Sequence, residues 1–180
     1  IPWRVVWKDS ATTPVRPVLD ASTNSPRRAD GSGGSCLNNA VCHGKVDTLD
    51  LIRVVLKFIL LSHAVASDLT KMYNMFNLLP QFWNLQRIVM KKDLDPNGEV
   101  LEGVITTLIY GVSSVSCQTE VSLGLIAADC RVKEPKVATF IDKRRYVDNM
   151  LDSFKSKMEA LSITEASDRV LGKLSLKSRG

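Results

Sequence analysis

The chain has 180 residues, 44% of them hydrophobic and 24% charged, an ordinary globular balance with room for one real core and too little for two comfortable domains. A net charge of +5 and a pI near 9.1 admit an anionic partner such as nucleic acid without demonstrating one. The longest apolar run, "LIRVVLKFILLSHAVA", carries Arg53 and Lys57 and is too short and too charged to span a bilayer, so no membrane partner is expected.

Residues 1 to 20 read as extended, because prolines at 2, 14 and 17 forbid a helix and the valine-rich pieces favour strands. The Gly-rich basic stretch "ASTNSPRRADGSGGS" reads as a loop, and no Gly-Lys-Ser/Thr follows it to make a phosphate cradle. From Asp47, a candidate N-cap, a helical stripe runs through Leu49, Ile52, Leu56, Ile59 and Leu60, with Arg53 and Lys57 on another face. "AVASDL" then reads as a short buried strand ending in Asp68, followed by a helical turn over residues 69 to 77.

Two extended stretches around "DPNG" predict a hairpin. "SSVSCQTEVSLGLIAADC" predicts a helix with Val115, Val121, Leu125 and Ala128 inward. "RRYVDNMLDS" predicts a second hairpin with Asp148-Asn149 at its turn. Residues 153 to 174 close as an amphipathic helix with an interruption near Ser162. Basic residues crowd between Arg131 and Lys157, predicting a basic surface there. The fold class expected is α+β, an antiparallel sheet with helices packed on one face.

Cys36, Cys42, Cys117 and Cys130 form no disulfide framework, and Cys36, Cys42 and His43 are spaced too widely for a zinc knuckle. They read as free thiols in a reducing, cytoplasmic setting, and nothing at the N-terminus reads as a secretory signal. The chain starts at Ile1 and ends in "SLKSRG", so a piece of a longer protein is expected.

Two acids stand out, Asp68 at a strand end and Asp148 at a hairpin turn. Neighbouring in one sheet, they would converge at its edge, as divalent cations about 4 Å apart require for phosphoryl displacement. The surrounding words carry a resemblance. "VASDLTKMY" looks like the first catalytic motif of reverse transcriptases, a strand ending in Asp with an aromatic five residues on. "RYVDNML" resembles their second, usually Tyr/Phe-x-Asp-Asp. "RPVLDAS", "CLNN" and "LIYGVSSVSC" are similar to the corresponding segments of reverse transcriptases from BEL/Pao-type LTR retrotransposons, in the family's own order from about Val15 to Ser153.

The resemblance implies a right-hand polymerase architecture, with fingers and connection over residues 1–62 and palm over 63–180, the catalytic hairpin lying near 144–153. It implies RNA-directed DNA polymerisation with two Mg²⁺ ions, or Mn²⁺ in their place, on an RNA or DNA template-primer with deoxynucleoside triphosphates. Asp68 and Asp148 would be the catalytic metal ligands, and Tyr73 the steric gate under the sugar. Arg16 would contact the incoming nucleotide, and Tyr110 and Gly111 would line its pocket. Without the resemblance, Tyr73 reads as well as a core aromatic, Arg16 as a solvated strand residue, and Tyr110 and Gly111 as a strand end and a turn.

The departures matter equally. Asn149 stands where the family has its second aspartate, and Val115 follows the paired serines where the family has proline. The fingers loop is lengthened around "RRADGSGG", and no complete thumb, protease, RNase H or integrase is present, though the family's polyproteins carry them. Two further readings therefore stand beside a working polymerase. One is a catalytically dead remnant that at most binds nucleic acid, and the other an α+β interaction domain with coincidental motifs.

Overall fold

The computed structural model describes residues 1–9, 14–45, 50–174, 176 and 178–179. In chain order the elements are β1 (Trp3–Trp7), β2 (Val15–Leu19), α1 (Leu37–Ala40), α2 (Leu51–Phe58), β3 (His63–Leu69), β4 (Arg87–Lys91) and β5 (Val100–Val104). α3 (Val115–Cys130), α4 (Pro135–Lys143), β6 (Arg145–Tyr146), β7 (Asn149–Phe154), α5 (Lys157–Gly172) and β8 (Ser178–Arg179) follow. The fold is α+β with antiparallel strand pairing throughout the described sheets.

Two compact units emerge, Ile1–Gly44 with Phe76–Val115, and Lys45–Met75 with Ser116–Gly180. The β4–β5 hairpin returns to the N-terminal unit, where Trp3 Nε1 donates to Val89 O at 2.9 Å and the Ile1 amino group to Arg87 O at 2.6 Å.

In the first unit β1 and β2 pair from Trp3↔Leu19 to Trp7↔Val15, with Pro17 opposite Val5. β4 and β5 pair from Arg87↔Val104 to Lys91↔Val100, flanking the expected Pro-Asn-Gly turn. Buried Gln86 ties the start of this hairpin down by donating to Ile105 O and Thr107 O at 2.9 and 2.8 Å.

The second unit is built on a four-stranded sheet in the order β6-β7-β3-β8. Side chains alternate across a strand, and residues opposite each other share a face. One face therefore carries Ser67, Leu69, Met150, Phe154 and Arg145, all buried. Phe140 of α4 meets Phe154 there, their ring centroids 6.1 Å apart. The other face carries Ala64, Ala66, Asp68 and Asn149, all exposed, together with half-buried Leu151 and buried Ser153, so it is open toward its Asp68 end. β3 is thus half-buried, not the buried strand expected, and Asp68 escapes the desolvation cost of a buried carboxylate by lying on the open side. The end of α2 is anchored to Ser153, whose hydroxyl donates to Lys57 O and accepts from Leu61 N–H.

The helices depart from the sequence reading in instructive ways. α2 is capped by Asp50, whose Oδ1 accepts from Ile52 N–H at 3.0 Å, while Asp47 and Leu49 lie outside the described residues. On α3 the buried ridge is Val115, Thr119, Leu123 and Ala127, and the expected inward residues Val121, Leu125 and Ala128 are exposed. The i, i+4 ridge runs through a threonine, so selecting apolar residues alone picks the wrong side. α4, which the sequence reading leaves out, opens on Pro135 at its first turn and buries Val137, Ala138, Phe140 and Ile141. α5 runs uninterrupted past Ser162 from Ser156, whose Oγ accepts from Glu159 N–H at 3.2 Å.

Candidate functional site

β3 and β7 pair from His63↔Phe154 to Asp68↔Asn149, and β6 adds Tyr146 opposite Asn149. Tyr146, Asn149 and Asp68 therefore form one row across three strands on the open face. Asp148 stands beside the row in the hairpin turn, its carbonyl accepting from Leu69 N–H at 2.8 Å. The two residues of that turn are Val147 and Asp148, not Asp148 and Asn149; Asn149 already belongs to β7. The one-residue shift is what brings Asn149 into register with Asp68.

Val147 has φ +57°, while Asp148 stays at negative φ. A positive φ at the first turn residue alone is the pattern of a type II′ hairpin, which glycine fills without strain. For a β-branched side chain the left-handed region costs about 1–2 kcal/mol. Val147→Gly trades that for the chain entropy of glycine, about 0.5–1 kcal/mol. The expected result is an unfolding free energy unchanged or raised by up to about 1 kcal/mol, measured by urea unfolding. A clear loss of stability would mean that the valine side chain makes compensating contacts.

The charge around this hairpin is mostly paired. Arg145, 3% exposed at its side chain, donates from Nη1 and Nη2 to the two Glu120 carboxylate oxygens, both at 2.6 Å, and from Nε to Ile141 O at 2.9 Å. Arg144 pairs with Asp152 at 3.1 Å, Arg131 and Lys143 share Asp142, and Lys136 meets Glu159 at 2.8 Å. Five of the eight basic residues between Arg131 and Lys157 are thus ion-paired, Arg131 and Lys143 sharing one carboxylate. Burial pushes the Asp152 carboxyl above the usual range, opposed by the Ser153 N–H and the Arg144 guanidinium.

The oxygen-bearing side chains at this corner of the sheet are the Asp68 and Asp148 carboxylates and the Asn149 amide. Asn149 Nδ2 donates to Asp148 Oδ1 at 3.1 Å, so one carboxylate oxygen is already engaged. Among the described residues no three Asp, Glu, His or Cys side chains converge as a metal-holding group. Two carboxylates suit a hard divalent cation whose shell is completed by water or substrate oxygens. For the pair of ions implied by the resemblance, the set is one charge short.

Tyr73, on the 3₁₀ turn Met72–Met75, is buried, and its hydroxyl lies 3.4 Å from Ser116 Oγ. In the first unit Arg16 is exposed on β2 opposite Val6. Tyr110 is half exposed, and Gly111 has φ +97°. A Cβ at Gly111 would come within 2.8 Å of Leu19 O, so both the dihedral and the space demand glycine. The sequence reading assigned no role to Asn38 of "CLNN", yet its amide clamps this loop. Nδ2 donates to Gly111 O and Ser22 Oγ, and Oδ1 accepts from Ser113 N–H. A buried thiol, Cys36, immediately precedes α1, and the described cysteines are all free.

No helix among the described residues is long and apolar enough to cross a membrane. No known protein-family model matches the chain, and no curated protein matches it.

Proposed function

We propose that the chain is the fingers–palm part of an RNA-directed DNA polymerase of the BEL/Pao retrotransposon type, acting in the cytoplasm on an RNA or DNA template-primer and deoxynucleoside triphosphates. The observation that supports this reading is the register of the sheet. Asp68, from the first motif-like word, lies opposite Asn149, from the second, with Asp148 adjoining it in the turn. The separation of 81 positions from Asp68 to Asn149 in sequence makes this pairing a property of the fold and not of local composition.

Asp68 and Asp148 would hold the divalent cations. Bound Mg²⁺, or Mn²⁺ in its place, would lower the pKa of a primer 3′-hydroxyl and offset the charge of the triphosphate. The chain's own residues hold the carboxylates in place. Asp68 is carried on a strand laddered to β7, and Asp148 is fixed through its carbonyl by Leu69 N–H. The Asn149 amide, donating to Asp148 Oδ1 at 3.1 Å, helps to orient that carboxylate. The nucleotide roles of Tyr73, Arg16, Tyr110 and Gly111, and the neighbouring protease, RNase H and integrase domains, rest on the resemblance.

Asn149 itself favours a second reading, a remnant that has lost catalysis, since an amide adds an oxygen but no charge. Extension of a labelled DNA primer on an RNA template separates the two. The polymerase reading expects Mg²⁺-dependent extension by the unaltered chain, lowered about a hundredfold or more by Asp68→Asn. Absence of Mg²⁺-dependent extension from both the unaltered chain and Asn149→Asp would overturn it.

A further inference from the structure

Asn38, in the short helix α1, is hydrogen-bonded to two segments that lie far from each other in sequence. Its Nδ2 donates to Gly111 O at 2.9 Å and to Ser22 Oγ at 3.0 Å, and its Oδ1 accepts from Ser113 N–H at 2.9 Å. Its backbone N–H donates to Ala21 O at 3.1 Å. Gly111 C=O and Ser113 N–H flank Val112 and meet one amide, as the groups on either side of a strand residue meet one residue of a parallel neighbour. The side chain thus stands in for a strand along this loop. On the other side there is no slack, because a Cβ at Gly111 would lie 2.8 Å from the carbonyl oxygen of Leu19, the last residue of β2.

We infer that Asn38 is a positioning residue for the incoming nucleotide, an inference that rests on the polymerase reading. The resemblance assigns the nucleotide to Arg16, on β2, and to Tyr110 and Gly111, on a loop far along the chain. Asn38 joins the two. Ala21 and Ser22 continue the chain from β2, Gly111 and Ser113 continue it from Tyr110, and all of them lie in the first compact unit. The amide fixes where the loop stands against the strand, and a binding group misplaced by about 1 Å can cost up to a hundredfold. The chemistry asks for asparagine. Aspartate has nearly the same shape and keeps the acceptor for Ser113 N–H, but it sets a carboxylate oxygen against the Gly111 carbonyl with no proton between them. Displacement of the loop is separable from loss of folding. Unfolding raises the apparent nucleotide requirement only by the reciprocal of the folded fraction, about a tenth for a chain nine-tenths folded.

The test is the nucleotide concentration that half-saturates a stalled complex. The full chain is mixed with a dideoxy-terminated DNA primer on an RNA template, Mg²⁺ and the next complementary deoxynucleoside triphosphate, and the nucleotide-dependent complex is read by native gel shift. The measurement is made in the unaltered chain and in Asn149→Asp, each with and without Asn38→Asp. Asn38→Asp should raise the half-saturating concentration about tenfold or more, with far-UV circular dichroism and binding of primer–template in the absence of nucleotide unchanged. Half-saturation at the same nucleotide concentration overturns the inference and leaves the polymerase reading standing. A nucleotide-dependent complex from neither the unaltered chain nor Asn149→Asp overturns both. Should Asn38→Asp not fold, Asn38→Ser, smaller and uncharged, is judged by the same criterion. If neither variant gives folded protein, Asn38 serves the fold at large and the inference falls.

Discussion

Asn149→Asp should raise Mg²⁺-dependent primer extension about a hundredfold over the unaltered chain. A charge that stabilises the reacting centre is worth on the order of 3 kcal/mol, and the row across β6, β7 and β3 lacks one. The substitution replaces a neutral amide, which donates to Asp148 Oδ1 at 3.1 Å, with a carboxylate that repels both Asp148 and the opposing Asp68. In the absence of metal it should therefore cost roughly 1 kcal/mol of stability, as like charges directly opposite in a sheet do. Mg²⁺ should recover that loss by binding the folded state alone, so the melting temperature of Asn149→Asp should rise with Mg²⁺ far more than that of the unaltered chain. This thermal readout does not depend on catalysis. If neither extension nor melting responds to the metal in the variant, the open row is not a cation site.

Glu120→Ala should be the most damaging single change outside the apolar core. It leaves the Arg145 guanidinium buried with the Ile141 carbonyl as its remaining hydrogen-bond partner among the described residues. Removing one member of a buried pair costs about 3–5 kcal/mol, against roughly 0–1 kcal/mol for a surface pair. With Glu120 20% exposed, the lower end, about 3 kcal/mol, is expected, or a melting temperature lower by roughly 6–12 °C for a chain of this size. Arg145→Met combined with Glu120→Leu should recover most of it, since the unpaired charge, and not the lost pair, carries the cost. A loss under about 1 kcal/mol in Glu120→Ala would show that water reaches the guanidinium. The pair also has a functional consequence. Arg145 sits opposite Met150 in the hairpin that presents Asp148, so loosening it should lower extension by the same protein.

The two predictions draw on different levels of information. The amino-acid sequence by itself determined the local devices. Prolines 2, 14 and 17 exclude helix, the Pro-Asn-Gly run makes a hairpin loop, and a strand runs up to Asp68. Each depends on residues a few positions apart, where backbone sterics and side-chain capping act. It also displayed the apolar stripe of α2, the charge-rich run from Arg131 to Lys157 and the two motif-like words. Only the tertiary structure decided what these meant. Periodicity reveals that a helix has a stripe but not which way it faces, so α2 turns its stripe to solvent and α3 buries a ridge through Thr119. Charge counting along the run cannot see that Glu120 and Glu159, from outside it, pair with Arg145 and Lys136. Nor can local turn chemistry single out Val147-Asp148, because it favours Asp148-Asn149, whose side chains tolerate left-handed angles that a β-branched valine resists. The long-range pairing of β3 with β7 does so, since a one-residue slip would send every side chain of the strand to the opposite face.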